Sequence, residues 1–205
     1  MNTRRPQNKY APSPFAHGGD LRKGLRKTAR PLIVRNPVHI VMRSLIAQEK
    51  LSMLHPRNTK RVSALVRKAS RRFDVEIHRF VNVGNHLHLL VKARGKRHFQ
   101  NFLRYLCGQI AMLITGAKKG RTVLKICGTP RERQRFYPNI EIPDTTRFWD
   151  SLVFTRLVSL GLDYDRVVNY LKINLLESFG LIERKKYKRT PRVWGDIEWL
   201  LGDTS

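Results

Sequence analysis

The sequence predicts an α+β protein with a ferredoxin-like split β-α-β fold and an antiparallel sheet. Three observations lead to this fold class. Runs rich in β-branched residues and amphipathic runs follow one another in the order β-α-β-β-α, which begins such a fold. Two of the β-rich runs are separated only by a short break at Gly84, as in an antiparallel hairpin. A chain of 205 residues also suits one domain with a sizeable core.

The first three elements are predicted between residues 38 and 83. The run Val38–Arg43 is rich in β-branched and apolar residues and predicts the first strand. Apolar residues recur at helical spacing over Asn58–Phe73, with Lys and Arg between them, which predicts an amphipathic helix. A strand over Glu76–Val83 follows, and it ends at the break.

The remaining elements carry the candidate site. A strand is predicted from Asn85 to about Lys92, followed by a helix over Arg97–Thr115 with a wide apolar stripe. The fourth strand of the fold is predicted over Arg147–Phe154. The last helix is predicted to begin with Asp163 as its N-cap and to end at Gly180. Its buried stripe is predicted to consist of Tyr164, Val168, Leu171, Leu175 and Phe179.

Charge is the dominant property of the composition. The chain has 41 Lys and Arg against 15 Asp and Glu, a formal net charge of +26 and a pI of about 11.2. A field of this sign attracts polyanions, and nucleic acid is the most abundant of these in a cell. We find no long apolar span, lipidation motif or secretory signal, and the two cysteines have no metal-type spacing. These features favour a nucleic-acid partner, no membrane association, no disulfide and a cytoplasmic location.

Basic segments surround a central domain. Residues 1–31 are expected to form a flexible basic arm, residues 32–182 the domain with the site, and residues 183–205 a basic extension. Residues 118–146 are rich in Lys, Arg, Gly and Pro and are expected to be an inserted basic loop. Loops of this length are usually functional or disordered. Nucleic-acid contact is predicted for Arg22, Lys23, Arg26, Lys27, Arg30, Lys92, Lys118, Lys119, Arg121, Arg184, Lys185, Lys186, Lys188 and Arg189.

Two histidines in one strand are the most informative motif. Successive strand side chains point to opposite faces, so His86 and His88 share one face while Leu87 and Leu89 share the other. The leucine face can pack into a core. The histidine face can hold a divalent cation that accepts phosphate oxygens in its open positions. The alternative is a pair of ordinary strand histidines with no ligand.

Tyr170 and Asn174 are four residues apart on the last predicted helix, so they share a face. A phenol has a reference pKa of about 10 and is a weak nucleophile near neutral pH unless a metal or cations favour its deprotonation. A phosphodiester attacked by tyrosine becomes a phosphotyrosine, from which a DNA 3′-OH can later displace the tyrosine. Taken alone, a residue such as Tyr170 is more often a packing residue than a nucleophile, and one such as Asn174 is most often a surface amide.

Together these motifs resemble a known family. Asn85-His86-Leu87-His88-Leu89-Leu90 and Tyr170-Leu171-Lys172-Ile173-Asn174 are similar to the Asn-His-x-His-Leu-Leu and Tyr-x-x-x-Asn motifs of single-tyrosine transposases of the HUH superfamily. The chain most resembles the REP-associated tyrosine transposases, over roughly residues 37–180. It departs from them at Val83-Gly84, where the family often has Met-Pro, at Leu175, where it often has Pro, and in its long insertion.

The resemblance implies a function and a set of roles. His86, His88 and Asn174 would hold Mg²⁺ or Mn²⁺, and Tyr170 would attack single-stranded DNA to give a 5′-phosphotyrosine and a free 3′-OH. The partner would be single-stranded or hairpin DNA, a homodimer would be compatible with the reaction, and the location would be the bacterial nucleoid. Because imidazole is a poor ligand for Mg²⁺, Mn²⁺ is at least as plausible, and Zn²⁺ could bind unproductively.

Two other function classes remain open. The same sheet and charge would serve a nucleic-acid-binding module without catalysis, in which Tyr170→Phe should be nearly silent. A zinc hydrolase would need a stronger base near the histidines, and Glu177 is its only candidate.

Overall fold

A computed structural model describes residues 15–19, 28–116 and 147–183 of the chain. Within these ranges it contains one sheet and three α-helices. The strands are β1 (Ala16–His17), β2 (Val38–Arg43), β3 (Val75–Asn82), β4 (His86–Ala93) and β5 (Phe154–Leu157). The helices are α1 (Pro56–Phe73), α2 (Lys96–Thr115) and α3 (Leu162–Ser178).

The sheet confirms the predicted fold class. Its strand order is β1-β5-β2-β4-β3, and every neighbouring pair is antiparallel. Without β1, the order across the sheet is β5-β2-β4-β3. Numbered by their order in the chain, these four strands lie in the order 4-1-3-2, which is the split β-α-β arrangement. β3 and β4 form the predicted hairpin, with a register irregularity between Ile77 and Arg79.

The sheet is covered on both faces, and its alternation separates two cores. Leu87, Leu89 and Val91 belong to the larger core, which also contains the buried sides of α1 and α2. Leu90 points the other way and belongs to a smaller cluster with Val81 and the α3 residues Val167, Val168 and Leu171. The helices α1 and α2 therefore lie on one face and α3 lies on the other.

The fourth strand of the fold lies further along the chain than predicted. The sequence places it at Arg147–Phe154, whereas the strand begins at Phe154 and pairs with β2 from Val41 back to Val38. The preceding residues are held by side chains instead. The indole of Trp149 donates to the carbonyl of Cys107 at 3.0 Å, and the Asp150 carboxylate accepts from the amide of Leu45 at 2.7 Å.

Part of the predicted basic arm is regular structure. Ala16 and His17 pair with β5 at the edge of the sheet, which the absence of any periodicity in this segment did not predict. Gly18 follows with φ +85°, and a Cβ there would lie 2.1 Å from the carbonyl oxygen of Val153. Only glycine therefore allows the chain to leave β1 so close to the segment before β5.

Several predictions fall outside the described residues. These are the insertion at 118–146, the extension beyond residue 183 and most of the basic arm, including Arg22, Lys23, Arg26, Lys27, Lys118, Lys119, Arg121, Arg184, Lys185, Lys186, Lys188 and Arg189. Among the helices that the structure describes, none combines the length and the apolar character needed to cross a bilayer.

Arg30 provides a test of how the end of the arm is held. Its guanidinium donates to the carbonyl of Val153 at 2.7 Å and to the hydroxyl of Thr155 at 2.6 Å, and burial lowers its pKa. We expect Arg30→Met to lower the free energy of unfolding in urea by about 1–3 kcal/mol, because both acceptors lose a charged donor. The exposed Arg35→Met is the control, with an expected change below about 0.5 kcal/mol.

An Arg30→Met variant that keeps its stability but loses nucleic-acid affinity would contradict this structural role. It would instead support the contact that the sequence predicts for Arg30.

Candidate active site

The candidate site lies on the face of β4 that α3 covers. His86 and His88 point to this face, and their rings lie edge to face with centroids 4.8 Å apart. His88 is 1% exposed, whereas His86 is half-buried at the start of the strand. The two imidazoles therefore form a pair with one deeply buried member and one member that solvent can reach.

The loop before β4 fixes where the histidine strand begins. Gly84 has φ +98°, and a Cβ there would lie 2.9 Å from the Ser52 hydroxyl, so this position favours glycine strongly. The loop is bound to two neighbouring segments through the carbonyls of Gly84 and Asn85. The amide of Met53 donates to the Gly84 carbonyl at 2.8 Å, and the amide of Ser44 donates to the Asn85 carbonyl at 2.8 Å.

Asn85 orients His86. Its side-chain oxygen lies 2.6 Å from Nδ1 of His86. Because an amide oxygen can only accept, Nδ1 carries the proton and Nε2 carries the lone pair. A ligand histidine is commonly oriented in this way, through its other ring nitrogen.

His39 orients His88 in a similar manner, and the sequence analysis did not identify it. It lies on β2, is 4% exposed, and its Nε2 is 3.3 Å from Nδ1 of His88, with the two rings stacked at 5.5 Å. The pKa of His39 is lowered to about 3, mainly by burial and also by the charge of Arg156, while Asp163 acts in the opposite direction. His39 is therefore neutral. When it accepts the proton of His88 Nδ1, the Nε2 lone pair of His88 becomes able to ligate a metal.

One ion pair fixes the start of α3 against the sheet. The guanidinium of Arg156 on β5 donates to both carboxylate oxygens of Asp163, at 3.2 and 3.0 Å, and the amide of Ser159 donates to the same carboxylate at 2.9 Å. The helix begins at Leu162, so the prediction that Asp163 is the N-cap was wrong; the cap residue is Gly161. Asp163 joins the last strand to the helix instead.

The face of α3 that meets the sheet also differs from the prediction. The buried residues are Val167, Val168, Leu171 and Asn174, whereas Leu175 is 37% and Phe179 63% exposed. The buried stripe is rotated because the sheet offers histidines beside Leu90 here, so a polar residue can be buried against it. This rotation places Tyr170 against the histidines and buries Asn174.

Tyr170 lies against two of the histidines. Its half-buried ring meets that of His88 edge to face, with centroids 5.5 Å apart, and that of His39 at 5.9 Å. The other tyrosines of the described residues lie elsewhere. Tyr164 contacts His78, with its hydroxyl 3.0 Å from Nδ1, and Tyr105 packs against Phe73 on the opposite side of the sheet.

Asn174 is buried one helical turn beyond Tyr170. Its side-chain nitrogen donates to the Tyr170 carbonyl at 2.7 Å. Because a carbonyl only accepts, this bond fixes the amide and directs its oxygen away from the helix backbone.

A divalent cation at this place would need a ligand from α3 in addition to the two histidines. Within the described parts of the chain, no three His, Cys, Asp or Glu side chains are grouped as a metal site. A three-ligand site would therefore need the Asn174 oxygen together with the Nε2 atoms of His86 and His88. Two imidazoles and an amide oxygen, with open positions for phosphate oxygens, suit Mn²⁺ better than Mg²⁺.

The remaining predicted site residues lie away from this cluster. Lys92 is exposed on the histidine face, opposite Glu76 on β3 and four residues beyond His88, about 13 Å along the strand. Arg30 lies at the β5 edge, and the other predicted nucleic-acid contacts fall outside the described residues.

The chain is similar to solved structures at low sequence identity. The chain matches no protein-family model and no curated protein sequence. A crystal structure of a candidate transposase from Deinococcus radiodurans R1 aligns with 73% of this chain and 98% of its own, at 13% identity and a TM-score of 0.37. The assignment of a function to this chain therefore depends on its own residues.

The role of His39 can be tested through metal affinity. We expect His39→Leu to weaken Mn²⁺ binding roughly 10- to 100-fold, because His88 loses the acceptor for its Nδ1 proton. His39→Gln should stay within a few-fold of the unchanged protein, since the glutamine oxygen can accept the same proton. Titration followed by electron paramagnetic resonance of free Mn²⁺ measures both. Equal affinities for the Leu and Gln variants would contradict the orienting role.

Proposed function

We propose that this protein nicks single-stranded DNA and transfers the strand through a 5′-phosphotyrosine, as a transposase-like enzyme of the HUH type. The observation that carries the proposal is the contact between the Tyr170 ring and His88 on one face of the sheet. A nucleophile and a pair of metal-type ligands from distant parts of the chain meet there. The net charge of +26 supplies the attraction for DNA.

The reaction uses Tyr170 as the nucleophile. Its phenolate oxygen attacks the phosphorus, a tyrosine–phosphate bond forms, and the bond from phosphorus to the 3′ oxygen breaks. The proton lost by the phenol balances the one gained by the leaving 3′-OH, through solvent. Attack by another 3′-OH reverses the step and joins the strand to it, so no ATP is consumed.

The other residues hold and orient. His86, His88 and Asn174 would bind Mn²⁺ or Mg²⁺, which would neutralise charge on the phosphoryl group. Asn85 and His39 keep the ligating nitrogens of the two histidines facing the site. The ion pair between Arg156 and Asp163 holds α3, so that Tyr170 stays over the histidines.

The same geometry allows a second candidate, a nucleic-acid-binding module without catalysis. Tyr170 packs beside the smaller apolar cluster of Val81, Leu90 and Leu171, so its ring also has a structural role. In that case the histidines would be fixed parts of a binding face. A zinc hydrolase has less support, because Glu177 has only a half-buried position one turn beyond Asn174.

Covalent trapping separates the two candidates. The protein is incubated with pooled single-stranded oligonucleotides and Mn²⁺ or Mg²⁺, and SDS-resistant adducts are mapped by mass spectrometry. We expect an adduct on Tyr170 that is lost with EDTA, in Tyr170→Phe and in His86→Ala. Tyr105→Phe is the matched control, because Tyr105 lies across the sheet, and it should form the adduct as the unchanged protein does.

An adduct on a different tyrosine would overturn the assignment of Tyr170. Tight, salt-sensitive binding with no adduct, from a pool that includes the gene's flanking sequences, would favour the binding module.

A further inference from the structure

Helix α1 presents a row of cations to solvent, on the surface opposite its buried side. We call Arg57, Lys60, Arg61, Arg67, Lys68 and Arg71 the α1 ridge; all six are exposed. At about 100° per residue they fall within about 120° of the helix circumference, while Val62, Val66 and Ala69 face the core. The ridge is therefore one continuous stripe rather than scattered surface charge.

Among the residues that the structure describes, none balances the charge of the α1 ridge. No residue of α1 is acidic, and none of the six forms an ion pair with a described residue. The nearby Asp74 is paired with Arg94 at 3.0 Å. Several of the cations are also spaced three or four residues apart, such as Arg57 with Arg61 and Arg67 with Arg71, where like charges destabilise a helix. An external polyanion would relieve this repulsion.

The α1 ridge is remote from the histidine and tyrosine cluster. α1 packs on the sheet face that bears Leu87 and Leu89, whereas the candidate site is on the other face, beneath α3. The thickness of a helix, about 10 Å with its side chains, and the sheet itself separate the two surfaces. A nucleic-acid segment on the ridge is therefore a different segment from one whose phosphate lies at Tyr170.

We propose that the α1 ridge binds the phosphate backbone of duplex DNA. The ridge is convex and contains no aromatic ring on which an unpaired base could stack. The exposed Pro56 and Ala64 beside it provide none either. Single-strand binding normally uses such rings, whereas duplex backbone contact needs only cations in a row. This inference does not depend on the proposed chemistry, because the ridge needs neither a metal nor Tyr170.

The dimensions of the α1 ridge agree with this partner. Arg57 and Arg71 are 14 residues apart, which is about 21 Å along a helix. Duplex DNA carries about one charge per 1.7 Å of its axis, so the same length offers about twelve phosphates to six cations. Side chains as long as Lys and Arg can reach phosphates on either side of the helix axis.

The test compares two variants that each lose two arginines and one lysine. The ridge variant is Arg61→Gln, Lys68→Gln, Arg71→Gln, and the control is Arg35→Gln, Arg104→Gln, Lys172→Gln, which removes exposed cations that are not part of the α1 ridge. Fluorescence anisotropy measures the Kd for a duplex of about two helical turns and for one of its strands, over a range of salt concentrations. The full chain is used, and each variant is checked by its thermal melt.

We expect the affinity of the ridge variant for the duplex to fall more than about tenfold near 100 mM salt. The plot of log binding constant against log salt concentration should become less steep by about 2.7, at 0.9 for each lost phosphate contact. The control variant should change the slope by less than about one. Affinity for the single strand should change equally in both variants. EDTA and Tyr170→Phe should leave duplex binding unchanged, so that failure of the proposed chemistry would not alter this result.

Equal loss of duplex affinity in the two variants would overturn the proposal. The overall positive charge of the protein would then account for the binding. A ridge variant that loses single-strand affinity more than duplex affinity would also overturn it. Should the triple variant melt early, Arg61→Gln alone decides the question, with an expected slope change of about 0.9.

Discussion

Burial of β4 on both of its faces is the constraint on which the candidate site depends. The strand lies between β2 and β3, with a helical layer on each side, so a shift by one residue would move its leucines out of the larger core. Leu87, Leu89 and Val91 therefore fix the register, and His86 and His88 are held beneath α3 as a consequence. Apolar packing on one face positions the polar groups on the other.

The polar side of the sheet is held by a few short contacts, some between elements and one within α3. Arg156 and Asp163 join β5 to α3, His39 on β2 contacts His88 on β4, and Asn174 bonds to the backbone of its own helix. Each contact limits the rotation of a side chain or of α3 as a whole. Catalysis by positioned groups depends on such restriction, because small displacements of a nucleophile are costly. The cations of the α1 ridge lie across the sheet, where they cannot disturb this arrangement.

Local patterns predicted most of the helices and strands that the structure describes, and the errors occur where contacts between distant residues determine the structure. The helix periodicity, the hairpin and the alternation of Asn85–Leu90 are local properties, and they gave α1, α2, β3, β4 and the paired histidines nearly as observed. β5 was misplaced because its bounds depend on pairing with β2, and β1 was missed because two residues carry no periodicity. His39 was missed for a similar reason: a single histidine in an apolar strand becomes informative only when His88 is known to lie beside it. Its position on the polar side of the alternation in β2 was the available signal.

The histidine pair and Tyr170 lie on one face of the sheet, and their proximity can be measured in solution. Mn²⁺ broadening of ¹⁹F resonances from 3-fluorotyrosine tests it most directly, because the broadening falls steeply with distance from the ion. With each resonance assigned by a Tyr→Phe variant, Tyr170 should broaden most among the described tyrosines and Tyr105, across the sheet, least; His86→Ala should abolish the effect. Equal broadening of Tyr105 and Tyr170, or broadening that survives in His86→Ala, would contradict the account.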